Sequence, residues 1–216
     1  MTRAVLHGYF RSSAAFRVRI ALQLKGLDVD QVSVQLRAGQ QHTAEFMKLN
    51  PAALIPVYVT EDGVALTESL AIIEYLDEVV PQPRLLPATP LERARVRSLA
   101  YLIACDVHPI QNLRVLQRLR TQFGADDAAA NAWARHYIEL GLAAFEAELA
   151  QSPATGRFCH GDTPTLADIC LIPQVFNARR FQVDLTAFPT LLRVVDHCAT
   201  VPAFERARPD AQPDAG

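Results

Sequence analysis

Four prolines within ten residues, Pro81, Pro83, Pro87 and Pro90, divide this chain into two stretches of unlike periodicity. Proline lacks a backbone N–H and fixes φ, so this density stops any helix and stiffens a connector. Before it, short β-like runs alternate with helical patterns. After it, only the helical period remains. The chain reads as one domain over residues 1–80, a connector over 81–90 and an all-helical domain over 91–216.

The first domain is built from local signals. Ala4–Phe10 reads as a strand, and Ser13–Lys25 as a helix with Phe16, Ile20 and Leu24 four apart and Gly26 as its stop. Val29, Val32 and Val34 mark a second strand, and Thr43–Leu49 a short helix ended by Asn50-Pro51. Val57–Thr60 and Val64–Leu66 flank Glu61-Asp62-Gly63, a hairpin signal, and Glu68–Val79 follows as an amphipathic helix. The order βαβαββα predicts an α/β sandwich on a mixed sheet. In the second domain, helices are predicted over Leu91–Arg120, Asp126–Leu149, Thr165–Phe181 and Phe188–Cys198. Thr165 and Asp168 form a capping box at the start of the third. The tail from Ala207 is rich in Pro, Asp and Ala and reads as extended or frayed.

Charge and length narrow the function classes. With 216 residues, 50% of them apolar, there is enough chain for two small cores. A net charge of −2 without a basic run gives no electrostatic case for nucleic acid. No apolar run reaches membrane-spanning length, and MTRAVLHGYF is too short and polar for a secretion signal, so a cytoplasmic protein is expected. Cys105, Cys159, Cys170 and Cys198 form no CxxC pair and show no metal-ligand spacing; no metal site is expected.

Three places carry candidate chemistry. Ser12 and Ser13 open the first helix, where unpaired N–H groups and about half a positive charge favour an anion. A serine there either caps the helix or holds a thiolate or oxyanion; both readings stay open. Ile55-Pro56 lies between a helix and a strand. If the bond is cis, the sharp turn leaves the Ile55 N–H and C=O to pair an extended peptide; the alternative is an ordinary loop proline. Glu68-Ser69 opens the third helix, with Ser69 placed for a carboxylate and Glu68 for an ammonium; the alternative is a plain helix cap. Jointly the three describe pockets for a thiolate, a peptide backbone and an α-amino-acid terminus, in the order in which glutathione presents them.

Longer motifs point the same way. SSAAFRVRIALQLKG after YFR, LNPAALIPV, TESLAIIEYLDE, DVHPIQNLRVL, GDTPTLADICLIPQV, NARRFQVDL and the closing QPD resemble the zeta class of glutathione transferases. The likeness runs from about Val5 to Pro213. It implies a thioredoxin-like α/β N-terminal domain, an all-α C-terminal domain, a homodimer, and glutathione as cofactor. Carried over by position, it implies that Ser12, with Ser13, holds the glutathione sulfur and that Ile55 pairs the cysteinyl backbone. Glu68 and Ser69 would hold the γ-glutamyl end, and Gln41 with His42 the glycine end. Asp106, His108, Gln111 and Asn112 are the contribution implied for the helical domain. Where the class has a cysteine this chain has Ala14, which argues against thiol-transferase chemistry by the protein itself. Phe16 stands where tryptophan is commoner.

The activity implied is glutathione-dependent cis–trans isomerisation of maleylacetoacetate, with maleylpyruvate as the alternative substrate. Conjugation of α-haloacids and a non-enzymatic binding module are further readings. The maleyl substrate is a small dicarboxylate, so cationic partners are expected, and Arg11, Arg114 and Arg180 are the candidates. Each also reads as an ordinary surface arginine.

Overall fold

A computed structural model describes residues 3–215. Met1, Thr2 and Gly216, the outer ends of the expected domains, lie outside the described residues. The chain forms two compact units, one of residues 1–84 with 201–216, the other of residues 85–200.

The first unit carries a four-stranded sheet in the order β2-β1-β3-β4, made of β1 (Val5–Gly8), β2 (Asp30–Ser33), β3 (Val57–Val59) and β4 (Ala65–Thr67). β1 and β2 are parallel and joined through α1 (Ser13–Lys25), while β3 is antiparallel to both β1 and β4. The mixed sheet follows from the hairpin, which turns at Gly63 with φ +81°, a value that glycine adopts without a Cβ penalty. α2 (Ala44–Leu49) is capped by Thr43, whose hydroxyl accepts from the Phe46 N–H, and α3 (Ser69–Val79) follows β4.

α1 ends where the sequence says it must: Gly26 is left-handed and its N–H bonds back to Gln23 and Leu22. Leu6, Phe16, Ile20, Ile72 and Leu76 fill the core between the sheet and α1 and α3. Lys25, fully buried at its side chain, donates to Asp77 at 2.6 Å and to the carbonyls of Val80 and Pro83. An ammonium inside a protein needs such partners, and here they tie the end of α3 and the first part of the connector to α1. The expected 81–90 connector is thus divided: through Arg84 it belongs to the first unit, and from Leu85 it begins the second.

The second unit is all-helical: α4 (Pro90–Tyr101), α5 (Leu113–Phe123), α6 (Asp127–Gln151), α7 (Leu166–Arg180) and α8 (Pro189–Ala199). The single helix expected over Leu91–Arg120 is broken. A π segment, Leu102–Val107, and a 3-10 turn, Pro109–Gln111, separate α4 from α5. Pro109 has no N–H to continue the ladder, and Asn112 caps α5 by accepting from the Val115 N–H at 3.2 Å. The π segment lies close against α6, where a Cβ on Gly141 would stand 2.1 Å from Val107 Cγ2. Only glycine fits there.

The chain's end departs from expectation too. The helical domain was expected to run to residue 216 with a frayed tail, yet α9 (Pro202–Arg206) packs on α1, and residues 201–216 belong to the first unit. Gln212 Nε2 donates to the Arg206 and Arg208 carbonyls at 3.0 and 2.8 Å, which gives the Pro-rich segment the backbone partners it cannot make for itself.

Candidate active site

Four segments leave the same end of the sheet. In the antiparallel pairing His7 of β1 faces Val57 at the start of β3, and Val57 faces Thr67 at the end of β4. Gly8 faces Ser33, the last residue of β2. The turn to Ser12, the Ile55-Pro56 peptide, Glu68-Ser69 and the segment after β2 that carries Gln41 and His42 therefore gather at one edge. Topology brings together residues that are far apart in sequence.

Ser12 is the N-cap of α1: its Oγ accepts from the Ala15 N–H at 3.2 Å. A hydroxyl can accept and donate at once. The cap occupies the oxygen, and among the described residues no acceptor takes the hydroxyl proton. No acidic residue lies in the first turn of α1 to offset the positive helix end. The cap and the anion-holding reading are thus compatible. Ser13 follows at the first helical position, half-buried. Beside it, Arg11 lies over the Phe10 and Tyr9 rings, 5.2 and 5.9 Å from their centroids, and its Nε is buried without a hydrogen-bond partner among the described residues. Such a donor is set to receive an anion.

The Ile55-Pro56 bond is cis. The Ile55 side chain packs on the cluster of Val34, Phe46 and Val57, and among the described residues neither its N–H nor its C=O enters an intrachain backbone bond. Glu68 sits exposed with φ +65°, a left-handed conformation that costs a glutamate of order 1 kcal/mol. No side chain caps α3, and no acid lies in its first turn, so its end is open to a carboxylate. Ser69 is buried and accepts from Arg17 at 3.3 Å. Arg17 braces the serine from α1. Gln41 has a buried amide oxygen with no partner among the described residues, and His42 is exposed in the same turn.

In the helical unit, Asp106 is exposed on the π segment and His108 is half-buried. Asn112 spends its oxygen on capping α5. Gln111 is 2% exposed; its amide nitrogen donates to Gln174 at 3.2 Å and its oxygen accepts from Asn177 at 2.6 Å, which orients the side chain from within this unit. Arg114 is exposed on α5. Arg180, also exposed, lies 5.1 Å over the Phe181 ring, whose carbonyl accepts from Arg135. Among the described residues no group of His, Cys, Asp or Glu is arranged for a metal ion.

The glutathione S-transferase N-terminal domain profile matches residues 11–79, and the corresponding C-terminal profile matches residues 115–197. The maleylacetoacetate isomerase of Rhizobium meliloti (strain 1021) is 51% identical over 95% of this chain and 96% of its own length. A holo structure of a maleylpyruvate isomerase, described as a bacterial glutathione S-transferase in zeta class, is 48% identical with a TM-score of 0.96, covering 98% of this chain and all of that one. A maleylacetoacetate isomerase from Methylobacterium extorquens AM1, with bound malonate and glutathione, is 40% identical with a TM-score of 0.96, over 98% of this chain and 99% of that one.

Proposed function

From the premise that this chain belongs to the glutathione S-transferase family, within the branch of the zeta-class isomerases, we propose that it is a glutathione-dependent cis–trans isomerase converting maleylacetoacetate to fumarylacetoacetate. The observation that carries the reading is the hydroxyl of Ser12, whose oxygen caps α1 while its proton remains to be donated at a positive helix end.

The first unit fits glutathione on its own chemistry. An open α3 terminus with Ser69 suits the γ-glutamyl carboxylate, and Glu68 the adjacent ammonium. The unpaired Ile55 peptide suits the cysteinyl backbone, and Gln41 with His42 the glycine end. Bound there, glutathione supplies a thiolate that adds reversibly to the conjugated cis double bond, and it is regenerated, which makes it a cofactor. Ser12 and the α1 terminus stabilise negative charge on that sulfur; a free thiol, with a pKa of about 8.5, is mostly protonated at neutral pH. Arg11, Arg114 and Arg180 are the proposed partners of the substrate carboxylates, with Asp106, His108, Gln111 and Asn112 as the helical unit's contribution to glutathione. The protein is proposed to act in the cytoplasm, and as a homodimer, the latter as the class resemblance implies. No described helix is long and apolar enough to cross a membrane.

A second reading, maleylpyruvate isomerisation, is favoured by the 48% identical structure. An absorbance assay at catalytic glutathione separates the possibilities. Maleylacetoacetate is expected to turn over many times per glutathione present and with a higher kcat/KM than maleylpyruvate. The reverse ranking would move the assignment to the second substrate, and consumption of one glutathione per turnover would make the protein a conjugating enzyme.

Arg180 gives a second expectation. Arg180→Ala should raise KM for the diacid more than about tenfold, the loss of one charge-assisted hydrogen bond, with glutathione affinity unchanged. Steady-state kinetics with each ligand varied in turn measures both. Equal loss of both affinities would remove Arg180 from the substrate set.

A further inference from the structure

The turn Tyr9–Arg11 sets where Ser12 stands, because the Ser12 N–H donates to the Tyr9 carbonyl at 2.9 Å. This turn lies outside any strand or helix, so its polar backbone groups need partners from elsewhere. Two charged groups supply them. Arg19, one helical turn and a half into α1, donates through Nη2 to the Phe10 carbonyl at 2.9 Å and through Nη1 towards the Tyr9 carbonyl at 3.5 Å. Its Nε donates to the Ala207 carbonyl at 3.0 Å. On the other side of the same residue, the Phe10 N–H donates to Asp214 Oδ2 at 3.1 Å. That same carboxylate oxygen accepts from Ser33 Oγ at 2.7 Å, and Ser33 Oγ accepts from Gln35 Nε2 at 2.9 Å.

Both faces of Phe10 are therefore held by charge, and the chain's last residues contribute to both. Asp214 stands beside a guanidinium that is 4% exposed. Burial lowers the Arg19 pKa to about 10, and the negative charge of Asp214 opposes that fall. Buried charges are costly unless paired, so the tail is retained here by electrostatics as well as by the bonds of Gln212.

We infer that Asp214 is a positioning residue for the reaction: through Phe10 it fixes the turn from which Arg11 and Ser12 project, and so sets the hydroxyl that faces the sulfur. The inference rests on the assignment of Ser12 to glutathione. Asp214 itself touches neither cofactor nor substrate. A displacement of order 1 Å at a reacting group costs up to about 100-fold, and a loosened turn about tenfold.

The test uses the full chain and compares Asp214→Ala, Asp214→Asn, Ser12→Ala and the Ser12→Ala/Asp214→Ala double variant. Three readouts are taken: kcat with maleylacetoacetate, the thiolate ultraviolet absorbance of bound glutathione against pH, and Tm. Asp214→Ala is expected to lower kcat about tenfold and to move the thiolate titration to higher pH. Asp214→Asn should restore both, because the two hydrogen bonds converge on one oxygen that asparagine keeps. The double variant should titrate like Ser12→Ala alone, since the aspartate acts through the serine. If Asp214→Ala does not fold, Ser33→Ala, which removes one anchor of the carboxylate, should shift the titration in the same direction by a smaller amount.

A lower Tm with kcat and the titration unmoved would overturn the inference and leave the tail a structural strap. If Ser12→Ala itself leaves the titration where it was, the assignment of Ser12 to the sulfur fails, and the positioning role falls with it. A shift in Ser12→Ala without one in Asp214→Ala defeats the positioning role alone.

Discussion

Ser12→Ala is expected to lower kcat for the isomerisation by about 10²–10³-fold, the usual loss when a single aligned donor to a developing negative charge is removed. The same hydroxyl caps α1, so the variant should also lose about 1 kcal/mol of stability. Ser12→Asn separates the two roles. Asparagine caps as well as serine, but its oxygen takes the cap and no hydroxyl remains at that atom. Its Tm should approach that of the parent while its activity stays near that of the alanine variant. An active Ser12→Asn protein, or an alanine variant within about threefold of the parent, would reduce Ser12 to a helix cap.

The largest effect on stability is expected at Asp168, in the capping box of α7. This carboxylate is wholly buried. One oxygen accepts from the Thr165 N–H and hydroxyl, both at 2.8 Å, and the other from the Cys159 N–H at 2.8 Å. Alanine there removes the cap, about 1 kcal/mol, and strands two buried N–H groups at about 1–3 kcal/mol each. The summed loss is about 3 kcal/mol or more, read from urea denaturation. A loss below about 1 kcal/mol would mean that the loop before α7 relaxes to find other acceptors.

Two thiols report on the same site. Cys198 Sγ lies 4.0 Å from Asp168 Oδ1, and burial together with that carboxylate pushes the Cys159 and Cys198 pKa values up. Both should resist thiol reagents in the parent and react in Asp168→Ala. The sign of the pH effect follows from burial, which raises the Asp168 pKa above the ordinary 3.8 against the pull of its hydrogen bonds. With the folded value above the unfolded one, the stability this ionisation contributes is complete below 3.8 and is lost as pH rises through the folded pKa. Asp168→Asn should remove that part of the slope; an unchanged slope would place its origin elsewhere.

Much of the first unit was legible because its signals are local. Ser12 before a periodic run and Gly26 after it bound α1, and Glu61-Asp62-Gly63 between two β-rich runs marks the hairpin. The Thr165–Asp168 box marks the start of α7 for the same reason: the partners are three residues apart. The break between α4 and α5 was also written in the chain, at Pro109 and Asn112, but the apolar period of its surroundings outweighed them. The residues that form the candidate site were readable one at a time, each no better than a cap or a loop proline, and acquired meaning only as a set or through the family resemblance.

What the sequence determined alone is what neighbours settle among themselves: where helices start and stop, where the hairpin turns, and where an α/β pattern gives way to an all-helical one. Tertiary structure decided the pairings whose partners lie far apart in the chain. Arg17 reaches Ser69 across 52 residues, Gln111 bonds to Gln174 and Asn177, and Asp214 returns across 204 residues to hold Phe10. No local preference encodes such contacts, because each depends on a buried polar group finding the partner that the packed fold brings within reach.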